Sequence, residues 1–451
     1  MKKTLCILFA VLFFLLCLVP STGMLLWGAS PAGANEVLSP KAKLTDSRGT
    51  LNSDYFADLA DWFNDRFALR QEYITLWAKL NSSLFRTSTS DDVVLGTDGW
   101  LYYAPTLADY LGSAPMTERE LFCAAETLAL LNENAEAQGA NFLFVIAPNK
   151  NSLYPEHMPF VRTPGASNAE RLTALLAERG VPTADLFSAF SAEEDTLYFA
   201  TDSHWNGKGA ALAADTLLAN LGKESGFFSG AFTETSHRGD LYEMLCPAGR
   251  ATEVDYAPSQ GFTYQVTSNS DNPDSITLTT ESAADGRLLC YRDSFGRNLF
   301  PFLAESYGEA TFRRSTDFSP AGLAAGDTMI LELVERNLRY LNTCAPEYAA
   351  PVRENSFPET DAAASTQALP VSADACTQLE GCVKITGDLS GSAPAVPADN
   401  APIYVLCDGI VYEATPQPDG FCLCLPDGTS PSAVGFETAG GDFVCIPICF
   451  A

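Results

Sequence analysis

The chain has 451 residues, with 56 acidic against 27 basic side chains, a formal net charge of −29, and 47% hydrophobic and 18% charged residues. That length predicts two to three domains, and the balance of apolar and charged residues is that of a globular protein and excludes a disordered chain. So negative a surface repels nucleic acid and anionic lipid, which are therefore not expected partners, and it repels polyanionic glycans unless basic side chains line the cleft.

Lys2 and Lys3 precede an apolar stretch over residues 5–19 that resumes at 24–27. Residues 1–34 therefore read as a signal peptide, with Ala32, Gly33 and Ala34 as a small-residue cleavage site. An N-terminal membrane anchor with the lysines inside is the other reading, since the stretch approaches the roughly 20 residues of a bilayer span. On either reading the remainder is extracytoplasmic, secreted or membrane-associated through its N-terminus.

Residues 39–86 carry Tyr55, Phe56, Leu59, Trp62, Phe63 and Phe67 at near-helical spacing. A glycine-rich turn at 96–99 leads into an aromatic strand at 100–103. Thr117 and Glu120 form a capping-box pattern for a helix through about residue 138, which Gly139 ends. The apolar run 142–147 predicts a buried parallel strand. Helices follow at 169–179, 207–221 and 298–305, and strands at 181–186, 288–291 and 328–334. This alternation predicts a doubly wound α/β domain over residues 35–350, with residues 222–285 as an inserted segment.

Residues 351–371 have the Pro, Ala, Ser and Thr content of a linker. Short β runs punctuated by Asp-Gly pairs at 408–409, 419–420 and 427–428 then predict a small β-sandwich over 372–451. Of the 13 cysteines, Cys376, Cys382, Cys407, Cys422, Cys424, Cys445 and Cys449 crowd this last part. In an exported domain that density predicts some disulfides, whose pairing the sequence does not give. The spacing of Cys and His fits no metal site, and no cofactor is expected.

Two segments carry chemistry. Asp202 lies two residues before His204, one of three histidines in the chain. In an extended or turn segment the two side chains point the same way, so the carboxylate can fix the imidazole tautomer. Ser294 follows a buried strand and precedes a helix, where its hydroxyl is exposed and its own N–H is a candidate oxyanion donor. Taken singly, Asp-x-His also reads as a structural hydrogen-bond pair and Asp-Ser as a helix cap. His237 and Asp240 form an alternative pair that reads more simply as a structural loop.

Together, Thr201 to Trp205 with Gly209, and Asp293 to Gly296, resemble the two signature segments of the DHHW-type proteins, the SGNH hydrolase-like domains of the alginate O-acetylation family. Asn149 and Lys150 with Tyr154, the Gly96 to Tyr102 turn, Gly239 with Asp240, and Glu335 with Arg336 also fit, so the resemblance covers about residues 45–345. It implies an SGNH-like α/β fold with Ser294 as nucleophile, His204 as base and Asp202 as its orienter. Asn149, Lys150, Trp205 and Arg336 then lie near the site as substrate-binding or oxyanion residues. The implied reaction is O-acetyl transfer from an acyl donor to a polysaccharide hydroxyl, with a membrane O-acyltransferase as a candidate partner. A carbohydrate acetylesterase and a non-catalytic scaffold of a polysaccharide assembly complex are the alternatives. The acidic, cysteine-rich C-terminal module departs from the alginate proteins.

Overall fold

The computed structural model describes residues 2–33, 36–45, 49–354, 368–390 and 395–450. Helix α1 (Lys2–Trp27) contains Pro20. Among the described residues no single helix is long and apolar enough to cross a membrane; Lys3–Leu15 and Leu18–Trp27 meet the length and composition together, bent by 40°. The helical region expected over 39–86 is shorter: α2 (Tyr55–Asn64) and α3 (Arg70–Phe85) are separated by a turn in which Leu69 takes a φ of 63°. Upstream, the Asn52 side chain accepts from the Asp54 N–H and donates to Asp58, which favours a turn over helix.

Strands β1 (Val93–Leu95) and β2 (Leu101–Tyr103) form a hairpin, followed by α4 (Leu107–Tyr110). Helix α5 (Glu118–Ala137) starts at the expected capping box, with both reciprocal bonds made. Then come β3 (Asn141–Ala147), α6 (Lys150–Leu153), α7 (Asn168–Glu178), β4 (Thr183–Ala184), α8 (Leu186–Ser191) and α9 (Gly207–Asn220). The strand expected at 181–186 is cut to two residues because the Asp185 carboxylate caps α8.

The segment 222–285 holds β5 (Phe232–His237), α10 (Asp240–Leu245), β6 (Glu253–Pro258), β7 (Gln265–Val266) and β8 (Thr277–Glu281). Only its first part stands apart as a β5–β6 hairpin. Its last strands join the main sheet, with β8 antiparallel to β10. Strand β9 (Arg287–Tyr291), α11 (Gly296–Ser306), β10 (Glu309–Arg313) and β11 (Thr328–Val334) complete that sheet. The order is β4-β3-β11-β9-β10-β8-β7, with the first five parallel. Apolar clusters cover both faces: one includes Leu217 and Leu303 from α9 and α11, the other Leu128 and Leu172 from α5 and α7. Strands buried on both sides account for the largely apolar runs of β3 and β11, the latter broken by Glu332. The chain is thus doubly wound α/β as expected.

The all-β module comprises β12 (Leu369–Ala375), β13 (Cys382–Asp388), β14 (Ile403–Cys407), β15 (Ile410–Gln417), β16 (Gly420–Pro426), β17 (Pro431–Glu437) and β18 (Phe443–Phe450). Its strands close on themselves as a barrel, β12 pairing in parallel with β18. Closure removes the free edges that two stacked sheets would leave. Strand β12 begins inside the stretch read as linker; residues 355–367 of that stretch lie outside the described residues. The disulfides expected here are not formed: all seven cysteines of the module are free thiols.

Candidate active site

The C-terminal ends of parallel strands β3, β9 and β11 carry Asn149 with Lys150, Asp293 with Ser294, and Glu335 with Arg336 along one edge of the sheet. Open α/β sheets form their sites at this edge. Residues 198–205 make a tight loop above it, closed by a β-bridge between Tyr198 and Trp205. Lys150 fixes that loop: its ammonium, 4% exposed, donates to the carbonyls of Phe199, Ala200 and Asp202 at 3.1, 3.0 and 2.6 Å. Burial pulls its pKa down to about 7, against the attraction of Asp202 and Asp240. The role expected of Lys150 is therefore corrected. All of its donors are spent on backbone, so it braces the loop instead of facing a substrate.

The loop presents Asp202, 5% exposed, to His204. Its Oδ1 accepts the His204 Nδ1–H at 2.7 Å and the His204 backbone N–H at 3.0 Å. Its Oδ2 accepts His237 Nε2–H at 2.8 Å and the Asp240 N–H at 2.9 Å. Burial works to raise the Asp202 pKa, but the two imidazole bonds outweigh it and hold the carboxyl well below its ordinary range. Asp240 behaves oppositely, raised by burial and by the neighbouring Asp202, while accepting from Ser203 Oγ at 2.6 Å. Asp202, His204 and Asp240 bring ligand-type atoms within 4.8 Å of one another. Each Asp202 oxygen already accepts two N–H groups, so the cluster does not fit a metal ion.

His204 Nε2 is buried with no hydrogen-bond partner. The imidazole packs against Phe295, ring centroids 4.9 Å apart, and Phe295 directly follows Ser294. Among the described residues, neither Oγ nor N–H of Ser294 donates to a protein group, and Ser294 Oγ is not bonded to His204. Ser294 lines a cavity of about 440 Å³ with Arg292, Arg314, Arg336 and Tyr103. Volumes of that size suit small-molecule or sugar-ring ligands.

The serine turn is held from below. Asp293 Oδ1 accepts the Phe295 N–H at 2.9 Å, and Oδ2 accepts Val334 N–H at 2.8 Å and Asn337 Nδ2 at 2.7 Å. Glu332, fully buried in β11, accepts the Asp293 N–H at 3.1 Å, and burial beside Asp293 holds its carboxyl well above the usual range. Gly296 is required because the Arg292 side chain lies across it: a β-carbon there would sit 2.5 Å from Arg292 Cδ.

The other expected site residues divide. Arg336 reaches the cavity, its guanidinium 5.3 Å from the ring centres of both Tyr103 and Phe295. Trp205 does not: it is 0% exposed and packs edge-to-face on Phe295 at 5.0 Å, so it shapes the core behind the site. Asn149, 1% exposed, donates its N–H to Glu335 at 3.0 Å, and its carboxamide is buried with no protein partner. Burial and the nearby Asp109 raise Glu335 to about 8. Sequence reading missed Arg292 and Glu332, and it gave Glu335 no role of its own at the site. Glu332 had a signal, a lone acid inside the apolar strand 328–334.

Residues 93–293 match the family model described as SGNH hydrolase-like domain, acetyltransferase AlgX. The matched region is thus similar to the SGNH hydrolase-like domain of that family. The match stops one residue short of Ser294. A similar relative, the probable alginate O-acetylase AlgJ of Pseudomonas syringae pv. tomato, is 29% identical over 210 residues, 43% of this chain and 51% of that protein. The chain thus spans about half the length of the curated relatives it matches. Among solved structures, the O-acetyltransferase domain of Pseudomonas putida AlgJ is 16% identical with a TM-score of 0.37, over 55% of this chain and 92% of that one. A DHHW family protein from Eubacterium siraeum is 16% identical with a TM-score of 0.39, over 56% and 100%.

Proposed function

We propose that the SGNH-like domain is an extracytoplasmic serine-dependent O-acyltransferase that moves an acetyl group to a polysaccharide hydroxyl. The observation that carries this reading is the His204 imidazole, tied through Nδ1 to Asp202 at 2.7 Å with Nε2 left unpartnered beside the Ser294 turn. In the first step Nε2 takes the Ser294 Oγ proton as Oγ attacks the acyl carbonyl, and the donor leaves with that proton. In the second, Nε2 takes the proton of an acceptor hydroxyl, which attacks the acyl-serine, and Oγ leaves and regains the proton. Donor binding brings Oγ onto Nε2, a contact that commonly tightens only in the reactive complex. The names of the AlgX family and the AlgJ relatives support acetyl transfer and a glycan acceptor. Arg292, Arg314 and Arg336 in the cavity wall also offset the acidic surface, so an acidic glycan is admissible there. A membrane O-acyltransferase as the upstream donor and an N-terminal signal or anchor in residues 1–34 complete the proposal.

The test uses the protein lacking residues 1–34, incubated with p-nitrophenyl acetate and analysed by peptide mass spectrometry. An acetyl adduct on Ser294 that is lost in Ser294→Ala and His204→Ala is the expected result. Turnover unchanged in both variants would overturn the assignment. Adding oligosaccharides separates transfer from hydrolysis, since an esterase releases only acetate. The missing Ser294–His204 bond favours a non-catalytic glycan-binding component as the second reading, for which no variant or wild-type protein forms the adduct.

A further inference from the structure

The Asp202 carboxylate serves two imidazoles. Beyond its bond to His204, it accepts Nε2–H of His237 at 2.8 Å. We propose that His237 is a positioning residue that supplies the counter-charge for this carboxylate cluster and so leaves His204 neutral, with Nε2 free to take the serine proton. The inference rests on the reading of His204 as the base.

The charge arrangement argues for it. His204 Nδ1 lies 2.7 Å from Asp202 Oδ1 and 3.6 Å from Asp240 Oδ2. A protonated imidazole is no base, so a cation placed elsewhere in this carboxylate cluster favours the reaction. The groups facing His237 are Asp202 on the loop, and Glu253 and Asp255 on the paired strand β6. Asp240 opens α10 three residues on, and the Lys150 ammonium approaches Asp202, Asp240 and Glu253 from below. A proton is thus better placed on His237, which is bonded to one carboxylate and faces two more. Its imidazole also stacks on Phe199 at 4.0 Å, and an aromatic face favours the charged form. Burial opposes the charge, but the Asp202 bond and the flanking acids raise the His237 pKa above that of a free imidazole.

The chain has only three histidines, so each imidazole can be followed separately by nitrogen-15 NMR. In the wild-type protein, His237 should still carry both ring protons at a pH where Nε2 of His204 is already bare. The reverse order would overturn the proposal. In His237→Gln the amide can keep the bond to Asp202 without a charge. The His204 titration midpoint should then move up by on the order of one pH unit, and the acid limb of kcat/KM should move with it. An unmoved midpoint in a folded His237→Gln protein would reduce His237 to a structural role. The wild-type titration stands even if that variant does not fold. Neither titration needs turnover, so an absent Ser294 adduct beside the expected titrations would count against the function and not against the charge arrangement.

Discussion

Asp202→Asn tests the organisation of the site through stability alone. The carboxylate accepts four N–H groups, two on each oxygen, and is 5% exposed. An asparagine keeps one acceptor oxygen and turns an NH2 toward the other pair. Either imidazole can change tautomer to suit, but the backbone N–H of His204 or of Asp240 then faces a donor and cannot adapt. An unsatisfied buried donor costs about 1–3 kcal/mol, and a lost charge-assisted bond about 1.5–3 kcal/mol. A destabilisation of about 2–4 kcal/mol at pH 7 follows. The sign with pH is fixed. A carboxyl whose folded pKa is depressed stabilises above its unfolded value, near 4, and loses that contribution as pH falls through the folded pKa. Urea unfolding of both proteins at pH 7 and at pH 3 should therefore show a gap that narrows in acid. A gap below about 0.5 kcal/mol at pH 7, or one that persists unchanged at pH 3, would refute the reasoning.

Three further changes probe the supports. Lys150→Met removes all three donors that hold the 199–202 carbonyls, and urea unfolding should show a loss of about 3–5 kcal/mol. In Gly239→Ala a β-carbon would sit 2.2 Å from the Thr201 carbonyl oxygen, so α10 must shift away from Asp202. A loss of about 1–3 kcal/mol is expected in thermal or urea unfolding, with reduced acylation of Ser294 by mass spectrometry. Arg336→Ala removes a cation from the cavity wall without touching the Asp202 bonds. Stability should stay within about 1 kcal/mol, while KM for an acidic oligosaccharide acceptor rises and that for p-nitrophenyl acetate does not.

Much of the scaffold was legible because its signals are local. The capping box at Thr117 and the buried runs of β3 and β11 each follow from a few neighbouring residues. The Asp202–His204 pairing was legible for the same reason, since the two are close in sequence and share a turn. The roles of Lys150 and Trp205 were not. Whether a lysine faces solvent or three carbonyls depends on loop 198–205 folding back over β3, a contact between residues about 50 apart. His237 was equally hidden: its partner lies 35 residues away and the β5–β6 hairpin brings them together. Strand β12 escaped notice because its first residues, 369–371, fall inside the stretch read as linker and polar Ser372 and Asp374 follow, while its pairing with β13 and β18 makes it a stave of the barrel.

Arg353 bears on how the two halves are joined. Its guanidinium clamps Glu133 of α5 at 2.5 Å and Glu413 of β15 at 2.6 Å, its N–H donates to Val411, and Val352 bridges to Tyr412. At Val352 and Arg353, inside the stretch read as linker, the main chain is therefore already docked on the barrel wall. This rivet acts with Arg119, which donates to the Ala398 and Ala401 carbonyls, and with Lys384, which pairs with Glu347, to hold the halves together. Arg353→Ala should therefore loosen the barrel against α5, which a fall in its unfolding midpoint in urea would register.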